Sequence, residues 1–196
     1  MCETIKKLED LLSEIDSSEI SQEAEYVHAA VMMVIKQTSN DYEMLFIKRP
    51  DDERDPFSGH MAFPGGRMET EDKTKDETAV RETIEEVGID IGSSGRILGS
   101  LDDVIPNNPK ARNYIVTPYV SLLNEEVVMT LDPREVDKAI WIPVSHLTNE
   151  QNTEIRIRER GGRKVKDYVF YYEGYIIWGM TGRILHQFLS FSSHLF

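Results

Sequence analysis

The stretch "GGRMETEDKTKDETAVRETIEEVG", Gly65 to Gly88, decides how this chain is read. Lys75 to Val87 has the composition of a helix. Asp76 and Glu77 suit the dipole at its start, and Gly88 is placed as a left-handed C-terminal cap. With Val80 at the zero of a wheel turning about 100° per residue, Ile84 and Val87 fall within about 40° of it. These three form the expected core-facing stripe. Glu82, Glu85 and Glu86 fall roughly opposite, between about 140° and 240°, so all three carboxylates are expected on one face. Arg81 stands one turn before Glu85, at the spacing of an i,i+4 ion pair.

A solvated acidic face would produce the same pattern. Against that reading, acids at Glu85 and Glu86 oppose the dipole at the helix C-terminus, so the cluster costs stability where it stands. Oxygen-only ligands at one-turn spacing also suit hard ions such as Mg²⁺ or Mn²⁺, which convert mutual repulsion into shared attraction. Upstream, Gly65-Gly66 after Pro64 predicts a backbone turn with exposed peptide groups beside the helix.

The rest of the chain frames this segment. Its 196 residues, 40% hydrophobic and 29% charged, suffice for one compact domain with or without a terminal embellishment, and are too apolar for disorder. Apolar runs such as "AAVMMVI" (Ala29–Ile35) fall far short of the ~20 residues of a membrane span. The N-terminus "MCETIKKLEDLL" lacks a signal-peptide apolar block, which predicts a cytoplasmic protein. Cys2 is the only cysteine, so neither an internal disulfide nor a cysteine metal cage is available. A net charge of -13 argues against nucleic acid as a partner, because binding to its phosphates relies on basic surface. A small phosphorylated ligand, neutralised by divalent ions and gripped by a few arginines, remains compatible.

Periodicity predicts an amphipathic helix over residues 2–16 and a polar linker over Ser17–Glu25. Strands are expected at Ala29–Gln37, Glu43–Arg49, Met61–Phe63, Gly95–Val104, Asn113–Leu123 and Lys138–Val144. Two short strands within "KVKDYVFYYEGY" and a helix over Ile177–Phe191 complete the series. Residues 1–25 are thus expected to form a helical segment packed on a domain of residues 26–196, a sheet covered by helices.

The helix and its glycine-rich approach resemble the Nudix hydrolases, whose box reads G-x5-E-x7-REUxEExGU with U a bulky apolar residue. Arg81, Glu82, Glu85, Glu86, Gly88 and Ile89 match it. Thr83 stands at the first U, Asp72 replaces the early glutamate, and the spacing from Asp72 to Arg81 is one residue longer than in the box. Asp72 with this longer spacing is similar to the coenzyme A pyrophosphatase branch. So are "LFIKR" (Leu45–Arg49), Arg54, Gly59, "FPGG" (Phe63–Gly66) and the C-terminal "IIWGMTGRIL" (Ile176–Leu185). Pro50 and a longer Arg54–Gly59 gap depart from that branch's pattern.

The resemblance implies an α/β fold, the α/β/α sandwich with a mixed β-sheet between helices. It also implies metal-dependent cleavage of the pyrophosphate in coenzyme A or an acyl-CoA, giving 3′,5′-ADP and 4′-phosphopantetheine. Glu82, Glu85, Glu86 and Arg81 are the implied catalytic set. The three glutamates, with a carbonyl of Gly65 or Gly66, would hold Mg²⁺ or Mn²⁺. Glu82 is the candidate general base, Arg81 an orienting partner for a carboxylate, and Asp72 an organiser of the loop. Arg49, Arg54 and Arg67 are candidate phosphate contacts through the guanidinium fork, and His60 a candidate substrate contact. Each of these four also has a purely structural reading. Glu135 resembles an acidic loop residue that approaches the metals in relatives, with a solvated loop acid as the alternative. Trp178 and Tyr175 are candidates to stack on an adenine, although packing of the last helix accounts for them more simply.

The implied partner is a small-molecule nucleotide, with neither nucleic acid nor membrane, and a homodimer is left open. ADP-ribose, another nucleotide sugar or a dinucleotide is the alternative substrate. A non-catalytic ligand sensor is the alternative from a different class, opposed by the intact Arg81, Glu82, Glu85 and Glu86. RNA end processing is disfavoured by the acidic composition.

Overall fold

The apolar run Ala29–Ile35 forms the middle of a strand covered on both faces, β1 (Val27–Gln37), in a computed structural model that describes residues 3–15, 26–52, 57–106, 113–160 and 163–196. A strand buried on both sides has no polar face to alternate with, which is why the run is unbroken. Ala30, Met32 and Val34 enter one core layer, and Val31, Met33 and Ile35 enter the other.

β1 pairs in parallel with β6 (Tyr114–Leu123) and antiparallel with β2 (Tyr42–Lys48), so the sheet is mixed. Beyond these, β5 (Gly95–Ser100) pairs with β6, while β3 (Met61–Ala62) and β7 (Lys138–Pro143) pair with β2. Helix α2 (Lys75–Val87), the short α3 (Ile91–Ser94) and the link between them cover one face through Ala79, Val87, Ile89 and Ile91. Helices α1 (Glu3–Glu14) and α5 (Gly179–Ser192) cover the other, through Ile5, Leu8 and Leu12 and through Ile184, Leu185 and Phe188. The result is the expected α/β sandwich. A separate three-stranded antiparallel sheet is built from β8 (Thr153–Arg160), β9 (Arg163–Tyr172) and β10 (Tyr175–Ile177), after the short α4 (Val144–Thr148). No helix among the described residues is long and apolar enough to cross a membrane.

Several expectations are corrected. Gly65 and Gly66 do not form a turn; with Arg67 they form a short strand, β4, whose Gly66 lies opposite Ala30 and Gly65 opposite Val31 on β1. The strand expected to reach Val104 ends at Ser100, and Val104 makes only an isolated bridge to Val116. The last helix begins at Gly179 rather than Ile177, which belongs to β10. The largest correction concerns the phase of α2. Ile84 is 43% exposed, whereas Ala79, Thr83, Glu86 and Val87 are buried. The buried arc is rotated by roughly 80° from the predicted stripe. Small side chains at Ala79 and Thr83 let the helix lie close to β1 and β4, and the Thr83 hydroxyl is satisfied by the Ala79 carbonyl at 2.6 Å. The linker at Ser17–Glu25, together with Cys2 and Arg54, lies outside the described residues.

Candidate active site

Rotation of α2 takes the carboxylates with it. Glu86 turns under the helix and is 1% exposed, with Oε2 accepting the Gly65 N–H at 2.9 Å. Glu82 is half-buried against Gly66, where an added Cβ would overlap its carboxylate. Oxygens of Glu82, Glu86 and Glu135 all lie within 4.8 Å of one another, the one group of this kind among the described residues. Glu135 reaches it from the turn before β7, which is fastened to α2 by the Asp132 N–H on the Glu86 carbonyl at 3.0 Å. The expectation that three glutamates of one helix would share a single exposed face is therefore corrected. Glu85 stays outside the group, its side chain 57% exposed and paired with Arg81 at 3.1 Å.

Arg81 is the hub that fixes this arrangement. It donates to Asp72 through Nε at 3.1 Å and Nη2 at 2.9 Å, and also to Glu82 at 3.0 Å and to the Arg67 carbonyl at 2.9 Å. Asp72 further accepts from the Thr78 hydroxyl and the Glu69 N–H, both at 2.9 Å. The Arg81 hydrogen bonds hold the Asp72 carboxyl well below the usual range, and Asp72 holds Arg81 above its own. One aspartate thus gathers the loop from Glu69 to Thr78 and locks the arginine beneath the acidic ridge.

Burial sets the protonation of the ridge. It pushes Glu86 up to about 8, with the charges of Glu82 and Glu135 adding to it and the Gly65 N–H and Arg49 opposing it. Burial also raises Glu82, against the Arg81 hydrogen bond. Convergent carboxylates that resist ionisation together are the donor set a hard divalent cation satisfies, through oxygen ligands and a compensating double charge. The residues present fit such an ion.

The remaining candidates divide. Arg49 acts electrostatically on Glu86, and its backbone N–H donates to the His60 carbonyl at 3.0 Å. His60 is half-buried, its ring 4.9 Å from that of Trp178. The Arg67 side chain is exposed and turned over the Tyr114 ring at 5.0 Å, toward the start of β6. Tyr175 packs on the core, whereas Trp178 is 36% exposed just ahead of α5, so core packing explains the first aromatic and not the second. Arg158, with its guanidinium 5.5 Å from the Trp178 ring, was not among the candidates. Its strand, "TEIRIRER", carries a period-two alternation that marks β8.

A family model, the NUDIX domain, matches residues 27–160. A protein of Photorhabdus laumondii, named as an uncharacterized Nudix hydrolase NudL, is 32% identical over 160 residues, 82% of each chain. Its namesake in Yersinia enterocolitica is 30% identical over 82% of this chain and 78% of its own. Among solved structures, a MutT/nudix family protein from Enterococcus faecalis superposes with a TM-score of 0.52 at 17% identity, over 86% of this chain and 57% of that one. The NUDIX domain of Shewanella oneidensis NrtR, solved with ADP ribose, gives 0.50 at 16% identity, over 75% and 86%.

Proposed function

The chain belongs to the Nudix hydrolase family and is a pyrophosphohydrolase, and on that premise we propose that it hydrolyses coenzyme A or an acyl-CoA to 3′,5′-ADP and the 4′-phosphopantetheine product, using Mg²⁺ or Mn²⁺. The convergence of Glu82, Glu86 and Glu135 on the Gly65–Gly66 strand supports the hydrolytic part. A divalent cation bound there supplies charge neutralisation for the diphosphate and acidifies a water.

The chain's own residues do the rest. Glu86 is held by the Gly65 N–H, so its second oxygen has a defined direction. Glu82, half-buried and raised by burial, is our assignment for the group that accepts a proton from the attacking water. Arg81, anchored on Asp72, restrains Glu82 and Glu85 and offsets part of the charge of the ridge. Arg49, whose charge acts on Glu86, is our assignment for the phosphate contact. Arg67 is the weaker candidate, because its side chain leans on Tyr114.

The substrate part is supported by the segment leading into the site. Arg49, Gly59 and "FPGG" (Phe63–Gly66) stand in the order of the coenzyme A branch, and Asp72 with its longer spacing is the residue that organises the loop. A panel of coenzyme A, ADP-ribose, NADH and diadenosine polyphosphates, with Mg²⁺ or Mn²⁺ and product identification, tests this. Coenzyme A should give the highest kcat/KM, with 3′,5′-ADP as a product. Higher efficiency on ADP-ribose would overturn the substrate assignment and leave the hydrolytic one standing.

A further inference from the structure

Ile155, Ile157, Ile176 and Trp178, all in or beside the three-stranded sheet, are among the exposed large apolar side chains. Strand alternation separates them. Ile155 and Ile157 share a face with Tyr168 and Phe170, whereas Ile176 and Trp178 lie on the opposite face with Arg158.

That second face adjoins the start of β3 in the main sheet. The Arg158 guanidinium lies 5.5 Å from the Trp178 ring, and the His60 ring meets it edge-on at 4.9 Å and 61°. Arg158 is itself paired with Asp167, whose side chain is largely buried. The His60 carbonyl accepts the Arg49 N–H at 3.0 Å, which ties the aromatic pair to the strand end that carries Arg49. From His60 the chain needs five residues to reach Gly65, at most ~18 Å of extended backbone. His60, and the indole beside it, thus sit on the segment that leads into the Gly65–Gly66 strand beside Glu82 and Glu86.

An aromatic with only a packing role is held against the core, as the partly buried Tyr175 nearby is. Trp178 keeps 36% of its surface open between an imidazole and a guanidinium. Such a surface accepts any planar heterocycle by stacking, since every base has a π-face and the nearby cation adds to the attraction.

We propose that Trp178, flanked by His60 and Arg158, stacks the heterocyclic base of the nucleoside diphosphate whose phosphates occupy the carboxylate site, an inference that rests on the function assigned above. Stacking confers preference for ligands that carry a base over bare diphosphates, with little choice among bases.

Trp141 and Trp178 are the only tryptophans, so W141F leaves Trp178 as the sole indole emitter. Titration of W141F with ADP should quench its emission saturably, while inorganic pyrophosphate leaves it unchanged. If W141F does not fold, the difference between wild type and W178F reports the same signal. In parallel, W178A should raise KM for the preferred nucleotide substrate about ten-fold or more at nearly constant kcat, and W178F should restore most of it. Unchanged Trp178 emission at ADP concentrations that inhibit turnover, or an unchanged KM in W178A, overturns the proposal. Quenching by ADP without hydrolysis of any diphosphate on the panel would uphold stacking and sink the assigned function. Hydrolysis with Trp178 unaffected does the reverse.

Discussion

A methyl group added at Gly65 and one added at the adjacent Gly66 would meet different things. At Gly65 it would overlap the carbonyl of Ala30 and the Cα of Val31, both fixed in β1. At Gly66 it would overlap the end of the Glu82 side chain, a flexible group rather than fixed backbone. G65A should therefore lower stability by at least about 1–3 kcal/mol in urea denaturation. G66A should retain near wild-type stability and lose divalent-ion affinity, because Glu82 is displaced. Equal behaviour of the two variants would contradict this geometry. Glu86 invites a charge test. E86Q keeps an acceptor for the Gly65 N–H and removes a negative charge that burial disfavours. It should cut kcat/KM by about 100-fold or more, the usual scale for losing a charge that acts on the transition state, with no loss of apo stability. A destabilised E86Q would show that the carboxylate serves the fold first.

At the scale of the element, α2 is fastened by the Asp72–Arg81 clamp. D72N should cost about 1–3 kcal/mol, since it leaves hydrogen bonds to a charged, partly buried partner unmade. The pH dependence has a definite sign. Asp72 binds its proton less tightly folded than unfolded, so its contribution is present above the ordinary carboxyl value near 3.9 and is lost as pH falls below it. The stability gap between wild type and D72N should accordingly narrow in acid melts, and a constant gap would refute the clamp. The rotated face of α2 gives a second test. Ile84 is exposed, so I84Q should shift stability by no more than about 0.5 kcal/mol, despite its place in the apolar pattern. The ends of α2 were legible because capping and propensity are local: the helix spans Lys75–Val87 as read, and Gly88 has φ 73°. Its rotation was not, because close packing on β1 and β4 favours small residues over the bulkier Ile84.

Over the whole molecule, the acidic ridge adds to a net charge of -13. Burial raises Glu86 to about 8 in the folded state, so its effect on apo stability is most favourable below the ordinary carboxyl range and is lost as pH rises through about 8. A divalent cation reverses that trend, because it needs Glu86 ionised and repays the cost of ionising it. Binding that reaches 100 times Kd adds about 2.7 kcal/mol. Melting temperatures in Mg²⁺ against chelator should show a larger gain at about pH 8.5 than at about pH 6, where the cation must first displace the Glu86 proton. A gain of the same size at both values would place the ion elsewhere.

The box Arg81–Gly88, the covered strand at Ala29–Ile35 and the α/β order of elements were written in the sequence alone, because each depends on spacing within a few residues or one period of a helix or strand. β8 carried its alternation in "TEIRIRER" and escaped reading because its isoleucines lie outside the core, where an apolar signal means least. Tertiary structure decided which carboxylates meet. Glu135 joins Glu82 and Glu86, while Glu85 is turned out to solvent beside Arg81. Helical spacing confines side chains to a face, but the direction of that face is chosen by the strands it packs on, here β1 and the glycine pair of β4.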